Sequence, residues 1–284
     1  MPDPHTDNPA LSAIALFLDV DGTLIEIAAR PQAVSVSAEL REQLRRLSLA
    51  AGGAVALVSG RAIADLDALF APLTLPSAGL HGFEHRGASG VYRRRAAPST
   101  AALEAARSAM LQLARQHAGL LVEDKRFALA LHYRGAPHLE DTVVAAMREV
   151  AARAGEEFEV QRGKMVVELR PAGATKAKAL AAYLEEAPFA GRVPVFLGDD
   201  LTDEPAFELV NRCEGLSVLV GAPRASAARA RLADVAAVRA WLADLQAQPA
   251  AALRRLTADA REESGPGDPS RDRPLDLRLR SQAR

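Results

Sequence analysis

Two aspartates one residue apart, Asp19 and Asp21, are the residues of this sequence best placed to do chemistry. They follow the apolar run 14–18 and precede Gly22. In an extended segment, side chains two positions apart point to the same side. Two carboxylates held close together and away from water repel each other strongly. The pair therefore predicts a bound cation, a shared proton or a nucleophile.

The run 14–18 is apolar throughout, which predicts a buried parallel strand. The two aspartates then lie just past its carboxyl end, where open α/β sheets bind ligands. Other polar groups lie at the ends of predicted strands or at a helix start: Ser59 after the strand 53–58, Lys176 in the helix 175–186, and Asp199, Asp200 and Asp203 after the strand 193–197. Parallel strands bring their carboxyl ends to one edge, so we expect these groups to converge there.

Hard oxygen ligands without histidine or cysteine favour Mg²⁺ over zinc at this edge. A carboxylate nucleophile that forms an aspartyl-phosphate also fits this set of residues. Each residue taken alone has a structural alternative, because Asp-x-Asp is common in solvated turns and Ser59 could be a helix cap. Lys176 alone could be a surface lysine, and Asp200 and Asp203 could cap the helix that follows them.

The middle of the chain changes character. Over 100–170 the pattern predicts a helix, two extended segments, a second helix and two more extended segments, which is typical of an α+β unit. The predicted fold is therefore α/β, with a doubly wound, parallel-sheet, Rossmann-like core and an inserted α+β cap domain. The predicted segments are a flexible leader 1–12, a core domain 13–98 and 171–250, a cap domain 99–170, and a disordered tail 251–284 rich in Pro, Asp and Arg.

The composition excludes several classes of protein. The 284 residues carry a formal net charge of −1, so no overall field points to nucleic acid or to an anionic membrane. No run approaches the roughly 18 apolar residues of a membrane span. The single cysteine, Cys213, allows no internal disulfide. We expect a cytoplasmic protein that binds neither nucleic acid nor membrane.

The order of these motifs resembles the haloacid dehalogenase-like phosphatases. The motifs are Asp-Val-Asp-Gly-Thr-Leu from Asp19, then Ser59, Lys176 and Gly-Asp-Asp-x-x-Asp over 198–203. The resemblance implies that Asp19 is the nucleophile and that Asp21 is the general acid and then the general base. It implies Mg²⁺ held by Asp19, the backbone carbonyl of Asp21, and Asp199.

The same resemblance assigns supporting roles around the phosphate. It implies that Ser59 and Lys176 bind the phosphoryl oxygens, and that Lys176 offsets the charge of the carboxylates. Thr23 is placed with the phosphate-binding residues because it would fix the motif loop. Asp200 and Asp203 would support the metal ion or its waters.

Motifs in the cap and at the core edge resemble the trehalose 6-phosphate phosphatases in particular, over about 14–242. These motifs are Val122-Glu-Asp-Lys125, His132-Tyr-Arg134, Val167-Glu-Leu-Arg-Pro171, Ser59-Gly-Arg61 and Gly79-x-His-Gly-x-Glu84. The resemblance implies that the sugar hydroxyls bind Glu123, Lys125, Arg134 and Glu168. Gly60, Arg61 and His81 would support the site. Charged side chains make strong, directional hydrogen bonds, which suits a ligand with many hydroxyls.

The expected activity is Mg²⁺-dependent hydrolysis of trehalose 6-phosphate through an aspartyl-phosphate. A monomer is expected, with a sugar phosphate as substrate and a trehalose 6-phosphate synthase of the same pathway as a partner. Three alternatives stay open: a phosphatase of another sugar phosphate such as sucrose 6-phosphate, a non-catalytic regulatory partner of the synthase, and a sugar-phosphate phosphotransferase.

Some cap and edge residues also have structural alternatives. His81 could be a core histidine, and Arg61 and Glu84 could form a structural ion pair. Glu123, Lys125 and Arg134 could be ordinary solvated charges on strands.

Overall fold

Two sheets organise the computed structural model of the chain, which describes residues 9–28 and 34–264. One sheet has eight strands and the other has four. This architecture is an α/β, Rossmann-like core with a cap, as the sequence predicts.

The larger sheet has β1 at its centre. Its strands are β1 (Ile14–Leu18), β2 (Val55–Val58), β3 (Ser77–Gly79), β4 (Glu84–Arg86), β5 (Tyr92–Arg94), β10 (Val193–Gly198), β11 (Leu216–Val220) and β12 (Ala230–Leu232). Their spatial order is β12-β11-β10-β1-β2-β3-β4-β5. The first six are parallel, whereas β4 and β5 pair antiparallel at one edge.

Register brings the polar motifs together at one edge. Leu18 at the end of β1 pairs with Leu197 of β10 on one side and with Leu57 of β2 on the other. The residues just past these three strands are therefore neighbours. They include Asp19, Ser59 and Asp199.

Helices cover both faces of this sheet, which makes the core doubly wound. They are α1 (Pro9–Ser12), α2 (Ala38–Ala50), α3 (Ile63–Phe70), α6 (Lys176–Leu184), α7 (Glu204–Arg212), α8 (Val235–Ala247) and α9 (Pro249–Ser264). Alternate residues of β1 point to opposite faces, as the period of a strand requires. Leu16 and Leu18 pack with residues of α2, α8 and α9, whereas Phe17 packs with residues of α6 and α7.

The smaller sheet belongs to the cap. Its antiparallel order is β6-β7-β9-β8, with β6 (Leu121–Asp124), β7 (Leu129–His132), β8 (Phe158–Gly163) and β9 (Val166–Pro171). Helices α4 (Thr100–Gln116) and α5 (Glu140–Ala154) pack against it through Leu103, Met110 and Met147. This cluster is separate from the two core clusters, so the cap has its own hydrophobic core.

Two sequence predictions about the ends of the ordered region are wrong. Residues 9–12, placed in a flexible leader, form α1, and Leu11 is buried. Residues 251–264, placed in a disordered tail, belong to α9. There Leu253 and Leu256 are buried, and burying a leucine side chain contributes about 1.5–3 kcal/mol. The remaining leader and tail, 1–8 and 265–284, lie outside the described residues.

Among the described residues, every helix is too short or too polar to cross a lipid bilayer.

Candidate functional site

A pocket lies between the carboxyl edge of the core sheet and the cap sheet. It is lined by all of the predicted site residues except Thr23 and Asp203, namely Asp19, Asp21, Ser59, Gly60, Arg61, His81, Glu123, Lys125, Arg134, Glu168, Lys176, Asp199 and Asp200. Thr23 and Asp203 are fully buried and contact residues of this lining. The fold therefore brings the separate sequence motifs to one place.

Asp19 is held at the end of β1 by its neighbours on both sides. Its N–H donates to the carbonyl of Leu197 at 3.0 Å. Its Oδ1 accepts a hydrogen bond from Lys176 Nζ at 2.6 Å, and its Oδ2 accepts one from Thr23 Oγ1 at 3.2 Å. Burial outweighs the attraction of Lys176 and raises the pKa of Asp19 to about 7.

Asp19, Asp199 and Asp203 form an acidic cluster whose nearest carboxylate oxygens lie within 4.8 Å of one another. Burial and the negative charge of Asp19 raise the pKa of Asp199 to about 9. Gly22, at φ +86°, lets the loop after β1 approach this cluster, because a Cβ there would overlap the Asp199 carboxylate. The cluster is thus close-packed as well as acidic.

Asp203 and Lys176 tie this cluster together. Lys176 Nζ donates to Asp203 Oδ1 at 2.5 Å as well as to Asp19. Burial opposes the charge of Lys176, but the two carboxylates outweigh burial and raise its pKa. Asp203 Oδ2 accepts hydrogen bonds from the backbone N–H groups of Asp199 and Asp200, both at 3.0 Å.

Asp200 has a different position from its two acidic neighbours. Its side chain caps the short 3₁₀ helix Leu201–Asp203 and accepts from the N–H of Leu201 at 2.7 Å. Burial raises its pKa, and hydrogen bonds from the backbone of Leu201 and of Lys164 in the cap oppose that rise. Asp200 therefore links the loop 198–200 to the cap and is not part of the acidic cluster.

The side chain of Asp21 is bound by Arg61 and is not part of the acidic cluster. Arg61 Nε and Nη2 donate to the two carboxylate oxygens, each at 2.7 Å. Burial alone would lower the pKa of Arg61, but hydrogen bonding to Asp21 and the negative charges of Asp21, Glu123 and Asp65 together outweigh burial and raise that pKa. The alternative pairing with Glu84 is wrong, because Glu84 accepts from the N–H of Ile63 and the hydroxyl of Tyr92.

Ser59 and Gly60 follow β2 at the floor of the pocket. Ser59 is buried, and its hydroxyl accepts from the N–H of Arg61 at 3.1 Å. It does not cap α3, whose N-cap residue is Ala62. Gly60 permits a close approach of His81, because a Cβ at position 60 would lie 2.8 Å from His81 Nε2.

Glu168 is the centre of a charge-balanced group on the cap side. Its two oxygens contact Lys125 Nζ and His81 Nε2, the latter at 2.9 Å. Lys125 Nζ also donates to the carbonyl of Gly60 at 3.2 Å. Burial alone would raise the pKa of Glu168, but Lys125 and His81 outweigh burial and hold it below its usual range. His81 thus connects core and cap, unlike an isolated core histidine.

The other two predicted cap residues also have protein partners. Glu123 Oε2 lies 2.8 Å from His132 Nε2. Arg134 Nη1 donates to the carbonyl of Ala28 in the core at 2.7 Å. Burial alone would raise the pKa of Glu123, but the hydrogen bond with His132 and the charges of Lys125 and His132 together outweigh burial and lower it. These charges are partly buried and paired rather than freely solvated.

Sequence reasoning missed several residues at the site. His132, which it left unassigned, pairs with Glu123, and the alternation along β7 could have shown this. Gln161 and Lys164 line the pocket from the β8–β9 hairpin. Arg224 donates to the carbonyl of Asp200 at 3.0 Å, and no motif marked it because its contact depends on the loop after β11.

The residues of the acidic cluster fit a hard divalent cation. Three carboxylates crowd together, and the Asp199 carboxylate accepts no hydrogen bond from the part of the chain that the structure describes. Oxygen ligands of this kind suit Mg²⁺, Mn²⁺ and Ca²⁺ rather than zinc. A cation would relieve the repulsion that raises the pKa values of Asp19 and Asp199.

Comparisons with known proteins agree with this geometry. A family model described as trehalose-phosphatase matches residues 17–236. The chain is 45% identical over 232 residues to a probable trehalose-phosphate phosphatase of Sinorhizobium fredii, covering 81% of this chain and 87% of that protein. It is 43% identical over 243 residues to a trehalose-6-phosphate phosphatase of Escherichia coli, covering 85% and 90% of the two chains.

Solved structures show the same fold. The C-terminal domain of C. albicans trehalose-6-phosphate phosphatase superposes with a TM-score of 0.75 at 23% identity, covering 85% of this chain and 98% of that one. A haloacid dehalogenase-like hydrolase from Bacteroides thetaiotaomicron superposes with a TM-score of 0.55 at 17% identity, covering 80% and 97%.

Proposed function

Because the chain belongs to the trehalose-phosphatase family, we propose that it hydrolyses trehalose 6-phosphate to trehalose and phosphate. The observation that carries the proposal is the pocket itself. On its core side lies the buried Asp19 beside Lys176, and on its cap side lie paired, hydrogen-bonding charges. A phosphate group and a polyhydroxyl leaving group need these two different surroundings.

In the proposed mechanism Asp19 attacks phosphorus and forms an aspartyl-phosphate. Asp21 gives a proton to the departing sugar oxygen, and then accepts one from the water that hydrolyses the intermediate. The contact with Arg61 supports this division of roles, because the Asp21 side chain has a partner of its own, whereas Asp19 is held by Lys176 and Thr23. Closure of the cap would exclude water during the first step, and its reopening would admit water for the second.

We propose that the divalent cation is Mg²⁺, held by Asp19, Asp199 and the backbone carbonyl of Asp21, with Asp203 beside them. When bound, the cation would supply charge that offsets the phosphoryl oxygens. Lys176, which is already hydrogen-bonded to Asp19 and Asp203, would add a second positive charge beside the phosphoryl oxygens. Ser59 would donate its hydroxyl to a phosphoryl oxygen, and Thr23 would hold Asp19 in place through its existing hydrogen bond.

On the cap side, Glu123, Lys125, Arg134 and Glu168 are proposed to bind the sugar hydroxyls. Lys125, Arg134 and Glu168 now contact core groups, and Glu123 pairs with His132. Sugar hydroxyls could replace the hydrogen bonds that these side chains now make, because a hydroxyl both donates and accepts. The separate hydrophobic cluster of the cap supports a division into a cap at 99–170 and a core on either side of it, which also includes α1 and α9.

A panel of purified sugar phosphates tests the substrate. Free phosphate would be measured with trehalose 6-phosphate, sucrose 6-phosphate, glucose 6-phosphate and p-nitrophenyl phosphate in Mg²⁺. The proposal expects the highest kcat/KM for trehalose 6-phosphate. A preference for sucrose 6-phosphate would overturn the substrate, isomerised sugar without free phosphate would indicate a phosphotransferase, and binding without turnover would indicate a regulatory partner.

The cytoplasmic location, the monomeric state and a partnership with a trehalose 6-phosphate synthase stay predictions. Size-exclusion chromatography with light scattering measures the second. A pull-down with the purified synthase measures the third.

A further inference from the structure

The loop 198–200, which carries Asp199, is held by two side chains of opposite charge. Asp203 Oδ2 accepts the N–H groups of Asp199 and Asp200, both at 3.0 Å. Arg224 Nη2 donates to the carbonyl of Asp200 at 3.0 Å and lies 3.5 Å from the carbonyl of Asp199. The backbone N–H and carbonyl groups of Asp199 and Asp200 therefore all have partners, which fixes the backbone that carries the Asp199 side chain.

Arg224 is itself braced by Glu204. Its Nη1 forms an ion pair with Glu204 in the first turn of α7, and it also donates to the carbonyl of Ala225 at 3.1 Å. The other oxygen of Glu204 accepts from Ser226 Oγ at 3.2 Å and from the N–H of Ala227 at 2.8 Å. A planar guanidinium with several donors in a fixed fork can make these contacts together, and a lysine cannot.

The loop needs such a brace because its own charges oppose its position. Asp199, Asp200 and Asp203 are three carboxylates within five residues, and two of them, Asp199 and Asp203, pack beside the buried Asp19. Like charges at this separation repel. Within the described residues nothing hydrogen-bonds to the Asp199 carboxylate, so its direction depends on the backbone that carries it.

We propose that Arg224, braced by Glu204, is a positioning residue for the cation site: it fixes the backbone of Asp199 so that the carboxylate meets Asp19 around a divalent cation. This rests on the proposed function, because it takes the acidic cluster as the cation site. Arg224 contacts neither reacting group, so it acts through Asp199. Groups that orient metal ligands in this way typically change metal affinity about 10- to 100-fold when they are removed.

The test measures cation binding directly, on the full chain and without substrate. Mn²⁺ is titrated into the protein, and free Mn²⁺ is followed by electron paramagnetic resonance. Arg224→Gln is expected to raise the dissociation constant about tenfold. In phosphate release, the Mg²⁺ concentration for half-maximal rate should rise by a similar factor, while kcat at saturating Mg²⁺ changes less than about threefold.

Arg229→Gln is the matched control. Arg229 lies on the same loop and donates at 3.4 Å to the carbonyl of Asn211, which lies in the last turn of α7, at the end opposite to Glu204. It is expected to leave Mn²⁺ affinity unchanged. An Arg224→Gln protein that binds Mn²⁺ like the wild type would overturn the proposal, and so would an equal loss in Arg229→Gln.

Circular dichroism checks that Arg224→Gln folds. Should it not fold, Glu204→Gln removes the brace and keeps Arg224, and an Mn²⁺ affinity equal to that of the wild type in this variant overturns the proposal. A wild-type protein that does not bind Mn²⁺ at all contradicts the proposed cation site instead. The two failures are therefore distinguishable.

Discussion

The core side and the cap side of the pocket are both buried and charged, yet their charges are balanced in opposite ways. On the core side, three carboxylates crowd around Lys176, and the pKa values of Asp19 and Asp199 rise to about 7 and about 9. On the cap side, Glu168 lies between Lys125 and His81, and its pKa falls below the usual range. Burial acts in the same direction at both places, so the difference lies in the partners.

This difference indicates what each side is built to bind. The core cluster has more negative charge than its neighbours neutralise, so it suits a cation. The cap group is already neutral overall, so it suits an uncharged ligand that exchanges hydrogen bonds one for one. A sugar phosphate with a bound divalent cation has both properties.

The largest expected effect comes from removing the nucleophile on the core side. Asp19→Asn keeps the size of the side chain but not its nucleophilicity, so phosphate release from trehalose 6-phosphate should fall at least about 10,000-fold. Asp141→Asn, an exposed residue on α5, is the control. Activity of Asp19→Asn near the wild-type level would contradict the assigned mechanism.

A change on the cap side should instead depend on the substrate. Glu168→Gln removes a charged acceptor, worth about 1.5–3 kcal/mol, so kcat/KM for trehalose 6-phosphate should fall about 30-fold. The small substrate p-nitrophenyl phosphate should be affected far less. Glu149→Gln, exposed on α5, is the control. Equal losses on both substrates would argue against a cap that binds the sugar.

A substitution of Arg61 tests whether its contact with Asp21 matters for proton transfer to the leaving group. Arg61→Lys loses the two-pronged contact with Asp21, so release of an alkyl alcohol, which needs a proton, should slow about tenfold. Release of p-nitrophenolate, which leaves without one, should slow less. Arg86→Lys is the matched control, because Arg86 makes the same fork with Asp67 at 2.7 Å. A similar loss in both variants would show that the fork is only structural.

The smallest expected effect is on the melting temperature of the metal-free protein. Its sign should differ between a variant on the core side and a variant on the cap side of the pocket. The folded pKa of Asp199 is raised from 3.8 to about 9, so its charge destabilises the fold increasingly as pH rises from 3.8 towards 9. Asp199→Asn should therefore raise the melting temperature in chelator by about 4 °C at pH 8, and by less at pH 5.

Glu168→Gln should do the reverse. The folded pKa of Glu168 is lowered from 4.5, so its charge stabilises the fold above that value and this contribution is lost as pH falls. The variant should therefore melt lower than the wild type at pH 8. A shift of the same sign in Asp199→Asn and Glu168→Gln would contradict the contrast between the two sides.

Much of the core was predictable from the sequence because its signals are local. The continuous apolar strands before Asp19, Ser59 and Asp199 could only be buried, and parallel pairing then brings their ends together. The cap elements followed from a change of periodicity at about residue 100. The acidic cluster could be expected once these strands were placed.

Other parts were not predictable because they depend on contacts distant in sequence. The hydrogen bond from Arg224 to the 198–200 loop depends on where the loop after β11 lies. The pairing of Glu168 with His81 joins residues 87 positions apart. Helix α9 was missed because the composition of 251–284 was weighed as a whole, whereas the buried Leu253 and Leu256 occupy one helical face.

The most direct test of the account is the metal dependence of one reaction. The wild-type protein is stripped with a chelator, and trehalose and phosphate are measured separately after trehalose 6-phosphate is added, before and after Mg²⁺ is restored. We predict no release from the stripped protein, and equal amounts of trehalose and phosphate once Mg²⁺ returns. Full turnover by the stripped protein, or phosphate without trehalose, would contradict a cation-completed core under a sugar-binding cap.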